Sequence, residues 1–140
     1  MKGGLLVDTG PLVASINRRD RFHTWTKVQL AEMEPPIFTC EAVLAEACFL
    51  LRNLPGGSRA VMEFLARRIL EVPFRLEEHA RPVANLLQKY ADAPMSLADA
   101  CLVRMSELRE DSLVWTLDKH FRLYRRHGRQ VVPTLMPPGS

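Results

Sequence analysis

Short apolar runs alternate with helical stretches along this chain, and this alternation limits its fold more than any other feature. The first apolar run, residues 4–8, is followed by Thr9-Gly10-Pro11, where glycine and proline suit a turn into a helix. Strands that are separated by helices pair in parallel, and the helices cover the sheet that they form. We therefore expect an α/β fold, a three-layer sandwich with a short, mainly parallel central sheet flanked by helices.

Proline, glycine and capping residues set the bounds of the other predicted elements. Further strands are expected at 37–39, 72–74, 113–117 and 130–132. Helices are expected at 23–33, 40–54, 58–70 and 96–108, and one more ends near Tyr90. Pro82 lies inside this last helix and marks either its start or a kink.

The length and composition are those of one ordinary globular domain. With 140 residues, of which 47% are hydrophobic and 25% charged, the chain suffices for a single core. We expect one domain over 1–140, with a loose tail at 136–140. No apolar run approaches the roughly 20 residues that a bilayer helix needs. Because the N-terminal run is also too short for a signal peptide, we expect a cytoplasmic protein without a membrane span.

The three cysteines, Cys40, Cys48 and Cys101, do not form a recognisable metal or disulfide pattern. Their number is odd and no C-x-x-C spacing occurs, which argues against a disulfide framework or a zinc site. We expect them to be small buried hydrophobic residues.

Arginine dominates the basic residues. Of the 19 lysines and arginines, 15 are arginine, and the pI of the sequence is about 9.0. Because a guanidinium group pairs with two phosphate oxygens at once, a basic run near the C-terminus is a candidate nucleic-acid contact. A solvated helical face explains the same run equally well. The residues of this basic run are Arg122, Arg125, Arg126 and Arg129.

Two acids follow predicted strands directly. Asp8 ends the first strand, and Asp118 comes directly after the strand at 113–117. The carboxyl ends of parallel strands meet at one edge of the sheet, where ligands gather in open α/β folds. Asp8 and Asp118 are therefore predicted to lie at the same edge.

Two more acids lie near the starts of predicted helices. Asp99 is in the first turn of its helix. Glu46 is in the second turn of its own, at the margin of the apolar stripe that includes Leu50. Since these helices begin at the edge where the strands end, four carboxylates from four chain segments are predicted to meet there.

Each acid also has a purely structural explanation. Asp99 completes a capping box with Ser96, and Asp118 can start a turn or cap a helix through Phe121. Asp8 can precede a helix cap, and Glu46 can be a half-exposed helix residue paired with an arginine. Taken together the four favour a site, because like charges gathered at a dry edge repel unless a cation lies between them.

Oxygen ligands without a matching set of His and Cys favour a hard cation, Mg²⁺ or in its place Mn²⁺. A carboxylate cluster with such an ion, beside an arginine-rich surface, is typical of phosphodiester hydrolysis by a metal-activated water. Thr9 and Thr116 each adjoin an acid or lie close to one, and are candidates for orienting that water. The β-propensity of threonine explains their positions as well.

The sequence resembles the PIN-domain ribonucleases, and within them the toxin half of Vap-type toxin–antitoxin pairs. The resemblance rests on several motifs that agree in order and spacing over nearly the whole chain. These motifs are LVDTGPLVA at 6–14, AVLAEA at 42–47, YAD at 90–92, LADA at 97–100 and TLDKHF at 116–121.

The resemblance implies a PIN-like fold and a metal-dependent endoribonuclease. Its acidic pocket would use Asp8, Glu46, Asp99 and Asp118, with Asp8 and Asp99 as the direct metal ligands. It also implies an RNA substrate, a homodimer and a cognate antitoxin protein, gripped by the helical pair at about 40–70.

This sequence departs from the family pattern just before the LADA motif at 97–100. Ser96 stands where many relatives carry an acid, and Asp92 is a fifth acid whose role the sequence does not assign. A catalytically inactive PIN-like module that binds RNA or protein is the alternative function. A metal-dependent phosphatase ranks last, because Asp8-Thr9-Gly10 lacks the second aspartate two residues on that such enzymes usually carry.

Overall fold

A five-stranded parallel sheet forms the centre of the molecule in the computed structural model, which describes residues 4–139. In chain order its strands are β1 (Leu5–Val7), β2 (Ile37–Phe38), β3 (Leu70–Glu71), β4 (Leu113–Trp115) and, after the hairpin described below, β7 (Thr134–Leu135). Their order across the sheet is β3-β2-β1-β4-β7, and every neighbouring pair is parallel. The predicted α/β fold with a parallel central sheet is confirmed.

Within the described residues, six helices flank the sheet: α1 (Thr9–Ile16), α2 (His23–Glu32), α3 (Glu41–Leu50), α4 (Gly57–Ala66), α5 (Ala80–Lys89) and α6 (Leu97–Leu108). Single 3-10 turns occur at Leu76–His79 and Lys119–Arg122. A hairpin of β5 (Arg125–Arg126) and β6 (Gln130–Val131) lies outside the central sheet. No helix within residues 4–139 combines the length and apolarity needed to cross a membrane.

The core is formed by the sheet and the helices packed against it, and includes Leu12 of α1, Val43 of α3, Val61 of α4 and Leu102 of α6. All three residues of β1 are buried, as expected for a strand that is covered on both faces. Eight of the twelve residues of α6 are buried, so this helix is the central one of its layer. Cys40 and Cys101 are buried free thiols, as expected, and Cys48 is half-buried.

Two predicted strands are displaced in the structure. The strand expected at 72–74 lies two residues earlier, as β3, because Pro73 has no N–H to donate and ends the pairing. The run at 130–132 does not join the central sheet. Its first two residues form β6, antiparallel to β5, and the fifth strand of the sheet is instead β7.

Two predicted helices end earlier than expected. Helix α3 ends at Leu50, and α4 ends at Ala66, where Arg68 takes a left-handed conformation (φ 59°) and turns the chain into β3. Pro82 lies in the first turn of α5, so it marks the start of that helix and does not kink it. In the expected tail at 136–140, Pro137 is buried, and Ser140 lies outside the described residues.

Candidate active site

Asp8 is a buried carboxylate at the carboxyl end of β1. It is the N-cap of α1, and its Oδ1 accepts a hydrogen bond of 2.7 Å from the Thr9 N–H. Its Oδ2 accepts a second bond of 2.7 Å from the hydroxyl of Thr116, which follows the neighbouring strand β4. The Thr116 hydroxyl also accepts from the Asp118 N–H at 2.9 Å, so its own proton is directed to Asp8.

Asp99 is the second buried carboxylate, in the first turn of α6. The predicted capping box is present: the Ser96 hydroxyl accepts from the Asp99 N–H, and Asp99 Oδ2 accepts from the Ser96 N–H at 3.2 Å. Asp99 does more than cap the helix, because the hydroxyl of Tyr124 also donates to its Oδ2 at 3.0 Å. Asp99 is thus tied to a segment 25 residues away.

Glu46 reaches the same place from the exposed side of α3. Its Oε2 accepts a hydrogen bond of 2.6 Å from the Thr9 hydroxyl, which joins α3 to the start of α1. Leu50, which we expected in the buried stripe of this helix, is instead 55% exposed. It lies one turn beyond Glu46 and lines the cleft described below, so the apolar face of α3 is narrower than its sequence predicts.

Asp118 is half-buried at the loop that follows β4. Its Oδ1 accepts from the backbone N–H of His120 at 2.9 Å and lies 2.7 Å from Nδ1 of the same histidine. The carboxylate therefore caps the 3-10 turn, as one of its structural explanations predicts. At the same time its position is fixed at the edge of the sheet by the backbone bond to Thr116.

The four carboxylates line one open cleft of about 370 Å³. Gly10 also lines this cleft. A Cβ at this position would lie 3.2 Å from the side chain of Leu117, so a glycine allows the two segments to pack closely. The loop that carries Asp118 can therefore lie against the start of α1. The lining residues are Asp8, Thr9, Gly10, Glu46, Leu50, Pro94, Ser96, Asp99, Leu117 and Asp118.

Burial and mutual repulsion make ionisation of the two inner carboxylates costly. Burial raises the pKa of Asp8 to about 7, and the nearby charges of Asp99 and Asp118 add to the rise, while the Thr116 and Thr9 hydrogen bonds oppose it. Burial also raises the pKa of Asp99, with a further contribution from Asp118, against the lowering effect of its hydrogen bonds. A bound cation would reverse this cost, because it favours the charged form of both groups.

The donor set fits a hard divalent cation held by few protein ligands. Among residues 4–139, no three His, Cys, Asp or Glu side chains are arranged as a ready-made metal cage. Mg²⁺ does not require one, since it commonly binds one or two carboxylates and completes its shell with waters and substrate phosphates. The oxygens of Asp8 and Asp99 line the cleft and supply such a pair.

The structure separates the four arginines of the C-terminal basic run. Arg126 is buried, and its Nη1 donates to the carbonyl oxygens of Ser106 and Glu110 at the end of α6. Arg125 is half-buried, whereas Arg122 and Arg129 are exposed. Arg126 is therefore a structural residue and not an RNA contact. The helical-face explanation is also wrong, because Arg125 and Arg126 form β5 of the hairpin and Arg129 lies in its turn.

Sequence reasoning missed two residues that hold the site together. No sequence pattern indicated a role for Tyr124, because its spacing does not relate it to Asp99, to which it is hydrogen-bonded. His120 follows Asp118 by two residues, and that spacing could have indicated a local cap with a ring contact. Asp92, the fifth acid, is exposed on the turn before Pro94.

Comparison with known proteins agrees with this architecture. Residues 5–126 match the model of the PIN domain family. Among solved structures, the chain is similar to the crystal structure of VapC20 from Mycobacterium tuberculosis, a sarcin-ricin loop cleaving toxin. The two share 23% sequence identity and a TM-score of 0.69, over 82% of this chain and 90% of VapC20, which shows a common fold. No curated protein matches the sequence significantly.

Proposed function

The chain belongs to the PIN domain family, and from this premise we propose that it is a metal-dependent endoribonuclease, the toxin component of a toxin–antitoxin pair. It would hydrolyse RNA phosphodiester bonds by attack of a water molecule. The observation that carries this proposal is the convergence of Asp8, Glu46, Asp99 and Asp118 on one cleft. Each of these carboxylates is hydrogen-bonded to the side chain of another residue, which fixes its position as a functional site requires.

Asp8 and Asp99 would hold the cation, Mg²⁺ or Mn²⁺. When bound, this ion supplies a polarised water and neutralises charge on the scissile phosphate. Burial serves this role because charges act more strongly where water is excluded. Thr116 keeps one oxygen of Asp8 turned toward β4, and the Ser96 N–H holds one oxygen of Asp99.

Glu46 and Asp118 would act at the open side of the cleft. Both are less buried than the inner pair, and both are held by donors, Thr9 and His120. In this arrangement they accept hydrogen bonds from the attacking water and orient it toward the phosphate. Thr9 and Thr116, which we expected to orient the water directly, would instead orient carboxylates, those of Glu46 and Asp8.

RNA would be held outside the acidic cleft by exposed basic side chains. Arg122 and Arg129 are the two members of the C-terminal basic run that reach the surface. Contacts of this kind bind phosphates without reading sequence, and they weaken as salt rises. Single-stranded segments suit the open cleft best, because their backbone is accessible to the carboxylates.

The expected antitoxin would bind the pair formed by α3 and α4, and the chain would form a homodimer. This pair exposes large apolar side chains, Phe49 at 59%, Leu50 at 55% and Met62 at 45%. Exposed apolar groups in such a cluster mark protein interfaces. The similarity to VapC20, a toxin, supports the proposed toxin role, and we propose a cytoplasmic location from the proposed partner and substrate.

The proposal is tested by incubating purified protein with an RNA pool in Mg²⁺, in Mn²⁺ and in EDTA. Wild type should cut only with metal, and Asp8→Asn and Asp99→Asn should each lose at least about 100-fold in rate. Asp111→Asn, an exposed aspartate in the turn before β4, is the matched control and should cut like wild type.

An inert wild type that is folded and binds metal would contradict turnover. That result would favour the alternative, a PIN-like module that binds RNA or protein without cleaving. Cleavage that persists in both Asn variants would contradict the assigned site instead.

A further inference from the structure

Tyr124 is a buried polar residue that the proposed reaction does not yet use. Its side chain is fully buried, and its hydroxyl donates a hydrogen bond of 3.0 Å to Asp99 Oδ2. A buried tyrosine hydroxyl needs a partner, and a bond to a carboxylate is stronger than one to a neutral group. The pairing therefore brings the segment after the 3-10 turn directly onto one of the two proposed metal ligands.

The ring of Tyr124 is fixed in one orientation. It packs edge-on against Tyr90 (centroids 5.2 Å apart, interplanar angle 67°) and against Phe121 (5.2 Å, 78°). The Tyr90 hydroxyl bonds elsewhere, accepting from the Arg125 N–H at 2.8 Å, so it is the ring of Tyr90 that restrains Tyr124. With both neighbours in place, the Tyr124 hydroxyl is directed to a single point, the Asp99 carboxylate.

Both side-chain and backbone donors to Asp99 reach the same oxygen. Oδ2 accepts from Tyr124 and from the Ser96 N–H. Rotation of the carboxylate would break two bonds at once. The arrangement parallels the bond by which Thr116 holds Asp8.

We propose that Tyr124 is a positioning residue that orients Asp99 for metal binding. This inference rests on the proposed function, in that it takes Asp99 as a ligand to the cation. Groups that hold a metal ligand in this way raise metal affinity or activity by about 10- to 100-fold in other proteins. Tyr124 acts only through Asp99 and does not touch the substrate.

The test compares Tyr124→Phe with Tyr90→Phe. Each variant removes one tyrosine hydroxyl from the same aromatic cluster, but only the first removes a bond to a carboxylate. Mn²⁺ affinity is measured without RNA, by electron paramagnetic resonance of the free ion. We expect an affinity loss of about 10-fold or more in Tyr124→Phe and less than about 2-fold in Tyr90→Phe. In cleavage assays at saturating metal, Tyr124→Phe should lower the rate at saturating RNA and leave the KM for RNA unchanged.

A second measurement uses wild type alone, so it does not depend on how the variants fold. The chain has two tyrosines, Tyr90 and Tyr124, and labelling tyrosine with ¹³C at Cζ gives two resonances. Titration with Mg²⁺ should shift the Tyr124 resonance and leave that of Tyr90 in place.

The outcomes separate the two proposals. Metal binding by calorimetry with an unmoved Tyr124 resonance, or equal Mn²⁺ affinities in the two Phe variants, would overturn the positioning role alone. A weakened Mn²⁺ affinity in Tyr124→Phe together with an inert wild type would support the positioning role and reject turnover. No metal binding at all would contradict both.

Discussion

Hydroxyl groups, more than charges, fix the carboxylates of this site. Thr116 donates to Asp8, Thr9 donates to Glu46 and Tyr124 donates to Asp99. No arginine or lysine among residues 4–139 lines the cleft. A cation that binds there therefore does not compete with a guanidinium or ammonium group of these residues for the carboxylates.

Thr116 provides a prediction at this scale. Thr116→Val keeps the size of the side chain but leaves Asp8 Oδ2 and the Asp118 N–H without their partner. We expect cleavage to fall about 10- to 100-fold, because both carboxylates lose a fixed orientation. Thr116→Ser restores the hydroxyl and should recover most of the rate. The measurement is the RNA cleavage rate of each variant at fixed Mg²⁺. Equal rates for the Val and Ser variants would show that the Thr116 hydroxyl has no role in the site.

Asp8 should destabilise the metal-free protein at neutral and alkaline pH. Burial raises its pKa from 3.8 to about 7, so between these values the folded state binds more protons than the unfolded state. Stability in EDTA should then fall as pH rises through that range. Asp8→Asn removes the charge, and we expect it to be more stable than wild type at pH 8 by about 1–3 kcal/mol.

Thermal unfolding in EDTA at several pH values measures this effect. The difference between Asp8→Asn and wild type should shrink toward pH 4, and adding Mg²⁺ should stabilise wild type alone. A variant that is less stable than wild type at pH 8 would show that the Asp8 charge is compensated in some other way.

At the scale of elements, the ends of α3 and α4 were harder to predict than their starts. Ser96 and Asp99 announce the capping box of α6, and Pro82 falls in the first turn of α5. By contrast α4 stops at Ala66, although the sequence predicts a helix that continues to Leu70. It stops because Arg68 adopts a left-handed conformation, and arginine gives no warning of this, since glycine is the usual residue there.

This left-handed arginine gives a prediction about stability. The Arg68 N–H donates to the Leu65 carbonyl and the Ile69 N–H to that of Phe64, which closes α4 with the usual C-terminal hydrogen bonds. Arg68→Gly relieves the strain of a Cβ at φ 59° and should stabilise the protein by about 0.5–1 kcal/mol in urea unfolding. Arg67→Gly, one residue earlier at φ −86°, lacks that benefit and should destabilise it. Destabilisation by both changes would show that Arg68 is not strained.

At the scale of the whole molecule, the order of the strands brings the site together. Strands β1 and β4 are neighbours in the sheet although more than 100 residues separate them, and this places Asp8 beside Thr116. Alternating strands and helices, with acids after strands, sufficed to predict that edge. The hairpin of β5 and β6 and the addition of β7 were not predicted, because their two-residue strands carry too little periodicity to be recognised.

The basic residues of the C-terminal run should divide into structural and RNA-binding classes. Arg126→Met leaves carbonyl oxygens at the end of α6 without their donor and should cost about 1–3 kcal/mol of stability. Arg129→Ala, at an exposed site, should leave stability within about 0.5 kcal/mol and weaken RNA binding at low salt. Unfolding curves and filter binding separate the two effects, and RNA affinity that is unchanged in Arg129→Ala would exclude this segment from the interface.

The identity of the cleaved RNA ends tests the central claim most directly. If water attacks the phosphate at the carboxylate cleft, each cut leaves a 3′-hydroxyl and a 5′-phosphate, and these ends disappear with Asp99→Asn or EDTA. Attack by the neighbouring 2′-hydroxyl of the RNA would instead leave a 2′,3′-cyclic phosphate and needs no metal. We predict 3′-hydroxyl and 5′-phosphate ends that depend on both metal and Asp99, and cyclic phosphate ends from the purified protein would contradict the account.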